Sequence, residues 1–138
     1  MKGASIALIK NEHGDLLIVK PNYLGTDDWS LPGGVIEEGE SPLEACAREC
    51  LEELGIRVTV SKLLCSEHRK ASHPEGETNK FIFDCGVLST EQQTFTLQAD
   101  EIDAVVFKPL SEVMKLVSSK MQRRLEAIER GILYYEIS

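Results

Sequence analysis

Apolar and β-branched residues run almost unbroken from Ala4 to Lys10 and again from Leu16 to Lys20. The segment between them, Asn11-Glu12-His13-Gly14-Asp15, is polar and rich in turn formers. The pattern predicts a β-hairpin. Pro21 to Asp28 is polar and carries Pro, Gly and Asp, so it reads as a surface loop. It leads to Trp29, Leu31 and a Pro32-Gly33-Gly34 turn whose glycines permit backbone angles closed to other residues. Start, face and stop signals then agree on a helix. Ser41 suits the N-cap, Pro42 the first helical position, Glu44 completes a capping box and Gly55 supplies the C-terminal stop. Leu43, Ala47, Cys50, Leu51 and Leu54 recur at helical spacing and predict its buried stripe, with an acidic side opposite.

Beyond Gly55, Ile56 to Leu64 alternates like a strand that extends towards Lys70. Ala71 to Asn79 is a polar loop, and Lys80 to Leu88 and Ile102 to Phe107 are further strands. Pro109-Leu110-Ser111 introduces a helix with Val113, Met114 and Val117 on its apolar side, and a final helix covers Met121 to Arg130. Strands that alternate irregularly with helices favour an α+β sandwich over a repeated βαβ fold. The pattern leaves the parallel or antiparallel sense of each strand pair open.

With 138 residues, 42% of them hydrophobic and 28% charged, the chain suits a single domain over residues 1–138. No apolar run reaches the ~20 residues of a membrane helix. Met1 to Lys10 lacks a signal-peptide cleavage pattern, so a cytoplasmic protein without a membrane partner is expected. Cys46, Cys50, Cys65 and Cys85 form no CxxC pair and read as reduced, buried thiols. A net charge of −8 argues against a broad nucleic-acid surface. An anionic substrate would need a local cation, which a bound metal can supply.

Glu49, Glu52 and Glu53, at i, i+3 and i+4, share one face of the helix that begins at Ser41. Alone, that spacing describes a solvated acidic face equally well. The Gly33-Gly34 segment shifts the balance, because it can bring backbone carbonyls near the same face, and oxygen-rich clusters suit Mg²⁺ or Mn²⁺. Arg48 lies one turn after Glu44 and one turn before Glu52, where its guanidinium can bridge carboxylates and fix one in place.

Gly34, five residues, Glu40, seven residues, then Arg48-Glu49-Cys50-Leu51-Glu52-Glu53-Leu54-Gly55-Ile56 resembles the Nudix box of the MutT-like Nudix hydrolases, over residues 34–56. Cys50, where the family more often has an aliphatic residue, is the one departure. The resemblance implies a Nudix-type α/β/α sandwich with a mixed central sheet and divalent-metal-dependent hydrolysis of a pyrophosphate linkage in a nucleoside diphosphate derivative. Nucleoside triphosphate, ADP-ribose and nucleotide-sugar substrates all stay open. A non-catalytic metal- and nucleotide-binding sensor of the same fold is the alternative.

Carried over by position, the resemblance makes Glu49, Glu52, Glu53 and the Gly34 carbonyl metal ligands for Mg²⁺ or Mn²⁺, pairs Glu40 with Arg48, and leaves Gly33 and Gly55 as structural supports. It draws the general base either from Glu49 or from a distal loop, where Glu101 is the first candidate beside Asp100 and Asp103. Lys20, Trp29, Arg69 and Lys80 are expected to touch the nucleotide. Monomer and homodimer remain open. Pro74 stands farther from Ile56 than the ADP-ribose subfamily pattern, and the dinucleoside polyphosphate pattern lacks its tyrosine downstream of the box.

Overall fold

A computed structural model describes residues 2–138; Met1, with which the expected domain begins, lies outside them. The elements in chain order are β1 (Lys2–Asn11), β2 (Leu16–Pro21), β3 (Gly33–Val35), α1 (Pro42–Leu54), β4 (Lys62–Arg69), β5 (Thr78–Leu88), a 3₁₀ turn (Thr90–Gln92), β6 (Ile102–Lys108), α2 (Leu110–Leu116), α3 (Ser119–Glu129) and β7 (Tyr134–Ile137). The strands form one sheet in the order β6-β2-β1-β5-β4-β7, with β3 also paired to β1. The β1–β5 and β4–β7 pairs are parallel and the others antiparallel, so the sheet is mixed as expected. Among the described residues, no helix is long and apolar enough to cross a membrane.

The hairpin strands are apolar on both faces because each face is covered by helix. Ala7, Ile9, Leu17 and Val19 pack with Cys46, Cys50 and Leu54 of α1. The alternate residues Ile6, Leu8, Leu16 and Ile18 pack with Val113, Val117, Met121 and Leu125 of α2, α3 and the link between them. All four cysteines are free and buried, as expected.

The hairpin does not stay closed. Its strands meet at Lys10 and Leu16, then diverge: β3 pairs with Ala4 to Ile6 of β1, while β2 pairs along its length with β6. Residues 30–32 fill part of the gap, with Ser30 and Val19 exchanging backbone hydrogen bonds at 2.8 and 2.9 Å and Ala7 N–H donating to Pro32 O at 2.8 Å. The rest of the gap is a cleft.

Three expectations require correction, and one element was not expected. Gly33 and Gly34 lie in β3 rather than in a turn, and neither has positive φ. A strand from Ile56 does not form: the alternation of Ile56, Val58 and Val60 reflects side chains packing from an irregular segment onto the α1 core, and pairing begins only at Lys62. On α1 the buried residues are Ala45, Cys46, Cys50, Glu53 and Leu54, whereas Leu43 and Leu51 are exposed. The buried face is thus turned by about one residue's step, ~100°, from the apolar stripe. Glu53 goes inward because the helix must present its carboxylates to the cleft beside the sheet. Finally, β7 has no counterpart in the expected elements; it is a short edge strand held by side-chain chemistry.

That chemistry centres on Glu67 of β4, which is 2% exposed. Arg124 of α3 donates to both of its carboxylate oxygens at 3.2 and 3.3 Å, Arg123 donates at 3.2 Å, and the Tyr135 hydroxyl of β7 donates as well. Burial pushes the Glu67 carboxyl up, but the hydrogen bonds from Arg124 and Tyr135 outweigh it and hold the group below the usual range. Removing one partner of such a buried ion set leaves an uncompensated charge. Glu67→Ala is therefore expected to lower unfolding free energy by about 3–5 kcal/mol in urea titrations; a loss below about 1 kcal/mol, the scale of an exposed pair, would contradict this role.

Candidate active site

α1 is held at both ends. Ser41 Oγ accepts from Glu44 N–H and the Glu44 carboxylate accepts from Ser41 N–H, the predicted capping box, while Gly55 closes the other end at φ 70°. The last turn also anchors a distal loop, since Leu54 O and Glu53 O accept from Thr96 N–H at 2.9 Å and Gln98 N–H at 3.0 Å. This docking brings Glu101 within electrostatic reach of Glu49 and Glu53.

Arg48 organises the outer side of the site. It donates to both Glu40 oxygens through Nε and Nη2 at 2.7 and 2.9 Å, and Nη2 also reaches Val35 O at 2.9 Å. Its Nη1 spans Glu49 at 2.9 Å and Glu52 at 3.1 Å. The bidentate clamp holds Glu40 below the ordinary carboxylate range, and the Glu40 and Glu49 contacts raise Arg48 in turn.

Glu53 is 2% exposed and accepts a hydrogen bond from Gly33 N–H at 3.1 Å. Burial raises its carboxyl to about 8; the Gly33 bond opposes this, and Glu49, Glu101 and Glu52 reinforce it. Every charge that bears on Glu53 there is negative. Burial also raises Glu49, against the pull of Arg48 and with Glu52 and Glu101 adding to it. The glycines make the crowding possible. A Cβ on Gly33 would come within 2.2 Å of Ser5 O, and one on Gly34 within 2.4 Å of the Glu49 carboxyl. Close approach, and not an unusual φ, is what these positions require.

The donor set fits a divalent cation: Glu49, Glu52 and Glu53 are oxygen donors on one helix face, Glu53 without an ion pair among the described residues, with the Gly34 backbone against Glu49. Among the described residues no three acidic, His or Cys side chains converge tightly enough to hold an ion as they stand, and Arg48 Nη1 stands between Glu49 and Glu52.

The cleft between β1 and β2 forms a cavity of about 170 Å³ lined in part by Gly33, Gly34, Glu53 and Tyr23. A second cavity of about 250 Å³ shares Ser30, Lys80, Met121 and Arg124 with it and adds Trp29 and Arg69. Three of the four expected substrate contacts, Trp29, Arg69 and Lys80, thus share one space. Trp29 also packs against the α3-side core. Lys20 stands apart from both cavities, directed to Thr26 O at 3.5 Å and Asp27 at 3.7 Å. Asp103 accepts from Asn22 Nδ2 at 2.9 Å, whereas Glu101 acts electrostatically on Glu49, Glu53 and Tyr23. Tyr23 and Arg124 were not singled out in the sequence. Tyr23 lies in a loop without periodicity, and Arg124 interrupts the apolar face of α3 as an inward-facing cation, which is a signal of its own.

The family model for the NUDIX domain matches residues 1–130. Nudix hydrolase 6 of Arabidopsis thaliana is 30% identical over 115 residues, 80% of this chain but only 39% of the plant protein. An RNA pyrophosphohydrolase of Psychrobacter sp. (strain PRwf-1) is 28% identical over 144 aligned positions, covering 91% of this chain and 82% of that protein. The crystal structure of a MutT protein from Methanosarcina mazei Go1 superposes with a TM-score of 0.78 at 22% identity, over 94% of this chain and 93% of that one, and shares its fold.

The raised Glu53 has a consequence for stability. The folded protein holds a proton on Glu53 between its ordinary value, 4.5, and about 8, whereas the unfolded chain has released it. Stability of the metal-free protein is therefore expected to fall as pH rises through that window. In thermal melts with a chelator, Glu53→Gln should flatten this decline and melt above the parent at alkaline pH. A parent that gains stability over the same window would show that Glu53 is charged and compensated.

Proposed function

The chain belongs to the NUDIX family, and from that premise we propose that it hydrolyses a pyrophosphate linkage in a nucleoside diphosphate derivative, using Mg²⁺ or Mn²⁺ held by Glu49, Glu52, Glu53 and the Gly34 carbonyl. The observation that carries this reading is the buried Glu53, surrounded by like charges and open to a cavity with cations on its other wall. A carboxylate so placed has poor value for stability and high value as a ligand.

Bound there, a divalent ion supplies charge neutralisation of the diphosphate and polarisation of phosphorus. The protein's own groups do the rest. Gly33 N–H holds Glu53 in one orientation, Glu40 fixes Arg48, and Arg48 sets the spacing of Glu49 and Glu52. Glu49 and Glu101, which bear on one another electrostatically, are the two carboxylates we assign to take a proton from the attacking water. Trp29 offers a face for a base, and Arg69 and Lys80 offer charge to phosphate oxygens. The oxygen-rich site and the acidic overall charge of −8 suit a small nucleotide rather than a nucleic-acid duplex.

Phosphate release from a panel of nucleoside triphosphates, ADP-ribose and nucleotide sugars, with Mg²⁺ and with chelator, tests the proposal. Glu53→Gln keeps shape and hydrogen bonding but removes charge, and is expected to lower turnover by about a hundredfold or more at saturating Mg²⁺. Near-normal turnover of a well-folded variant would sink the metal assignment. Arg48→Lys should fold normally and still lose about tenfold or more in turnover, because an ammonium cannot hold Glu40 in a bidentate pair while spanning Glu49 and Glu52. Parent-like metal affinity and turnover in that variant would remove Arg48 from its orienting role.

A further inference from the structure

The larger cavity has an unusual wall. Arg69 of β4, Lys80 of β5, and Lys120 and Arg124 of α3 all line it, in a chain whose net charge is −8. Like charges gathered around a cavity repel unless something negative lies among them. Arg124 has Glu67, and Arg69 is fixed by Gly76 O at 2.6 Å and Glu75 O at 3.1 Å. A single carboxylate oxygen, Glu75 Oε2, then accepts from both Arg69 Nη1 at 2.9 Å and Lys120 Nζ at 2.7 Å. Lys80 differs from its neighbours. Among the described residues its Nζ makes no ion pair, and burial, together with Arg124, Arg69 and Lys120, holds it below the ordinary lysine range despite Glu67. Asp28, partly buried at the same cavity, accepts from Thr26 Oγ1 at 3.3 Å and makes no ion pair among the described residues.

We propose that this cavity is a phosphate-binding subsite, separate from the carboxylate helix, and that Glu75 is the protein's own anion competing for it. A phosphate group carries up to two charges and enough acceptor oxygens to engage Lys80, Arg124, Arg69 and Lys120 together. Glu75 satisfies only two of them. It sits on the exposed 71–77 loop beside Gly76, whose φ of +87° marks a tight turn, and its side chain is half exposed. An arriving phosphate can therefore displace the Glu75 carboxylate without opening the core. The cavity joins the Glu53 cleft through Lys80 and Arg124, so a ligand whose diphosphate faces α1 extends naturally towards it. Identification of this ligand as part of the substrate rests on the hydrolase reading; the binding site itself does not.

The phosphate has two chemical sources, the diphosphate chain itself or a phosphomonoester elsewhere on the nucleotide. Calorimetric titration with AMP, ADP and adenosine 2′,5′-bisphosphate, at low ionic strength with a chelator present, separates them without any turnover. ADP or the bisphosphate is expected to bind at least about tenfold more tightly than AMP, the scale of one or two charge-assisted contacts. A gain for ADP assigns the subsite to the chain, and a gain for the bisphosphate assigns it to a remote phosphomonoester. Lys80→Met should reduce that gain to about twofold or less, and Glu75→Gln should enlarge it by a few fold.

Equal affinity for all three nucleotides, or a gain unchanged in Lys80→Met, would overturn the subsite. A gain unaltered by Glu75→Gln would overturn the competing role of Glu75. Lys120→Gln, at a half-exposed side chain, is expected to lower the gain and repeats the test if Lys80→Met fails to fold. Because no metal and no hydrolysis enter the measurement, loss of the subsite leaves the hydrolase proposal standing, and an inactive enzyme leaves the subsite standing.

Discussion

Keeping the Glu53 carboxylate inside the protein is the constraint on which the site depends. Ionised and buried it is costly, and its neighbours Glu49, Glu52 and Glu101 make it more so. The protein offers it one backbone N–H and no cation. Arg48, on the same helix, is committed to Glu40, Glu49 and Glu52. This arrangement makes sense of several residues at once. Gly33 must lack a Cβ for β3 to lie against β1 and aim its N–H at Glu53, and Gly34 must lack one to leave room for Glu49. The cap at Ser41 and the stop at Gly55 set the helix's length, and the packing of Cys46, Cys50 and Leu54 on the sheet sets its rotation, which decides whether Glu53 meets the cleft or the solvent.

That rotation marks the limit of what the sequence discloses. The extent of α1 is legible because its signals are local: a capping box, a proline at the first position and a glycine at the end. The hairpin and the strands at 80–88 and 102–107 are legible because they are apolar runs. The buried face of α1 is not, since a pattern rule assigns Leu43 and Leu51 to the core and Glu53 to water, and it weighs apolarity without knowing that a carboxylate has work inside. The same rule read a strand into Ile56 to Val60, where apolar side chains cover the core from an unpaired segment. β7 escaped because its stability comes from Tyr135 and Glu67, 68 positions apart, a relation with no local signature.

The site residues divide along similar lines. Glu40, Arg48, Glu49, Glu52 and Glu53 are named by spacing on one helix and one loop, and the structure brings Glu101 to them through hydrogen bonds from its loop to the end of α1. The cationic wall is another matter. Arg69, Lys80, Lys120 and Arg124 come from two strands and a helix, so only the fold assembles them. A net charge of −8 says nothing of such a local reversal of sign, because composition averages over surfaces that a ligand never samples together.

Glu53 lines the same cavity as Lys80 and Arg124, yet it pairs with neither. In a flexible chain opposite charges this near would close on one another and give a stable, useless ion pair. Two features prevent that collapse. Glu67, itself held by the Tyr135 hydroxyl, holds Arg124 from behind, and residues 30–32, hydrogen-bonded to Val19 and Ala7, keep β1 and β2 apart. The separation leaves Glu53 without a cation on one wall and Lys80 without an anion on the other. Such charges cost stability while the cleft is empty, and need no rearrangement against solvent when a ligand and its counter-ion arrive together. The split hairpin is thus more than an irregularity of the sheet: it stops the protein from neutralising its own binding energy.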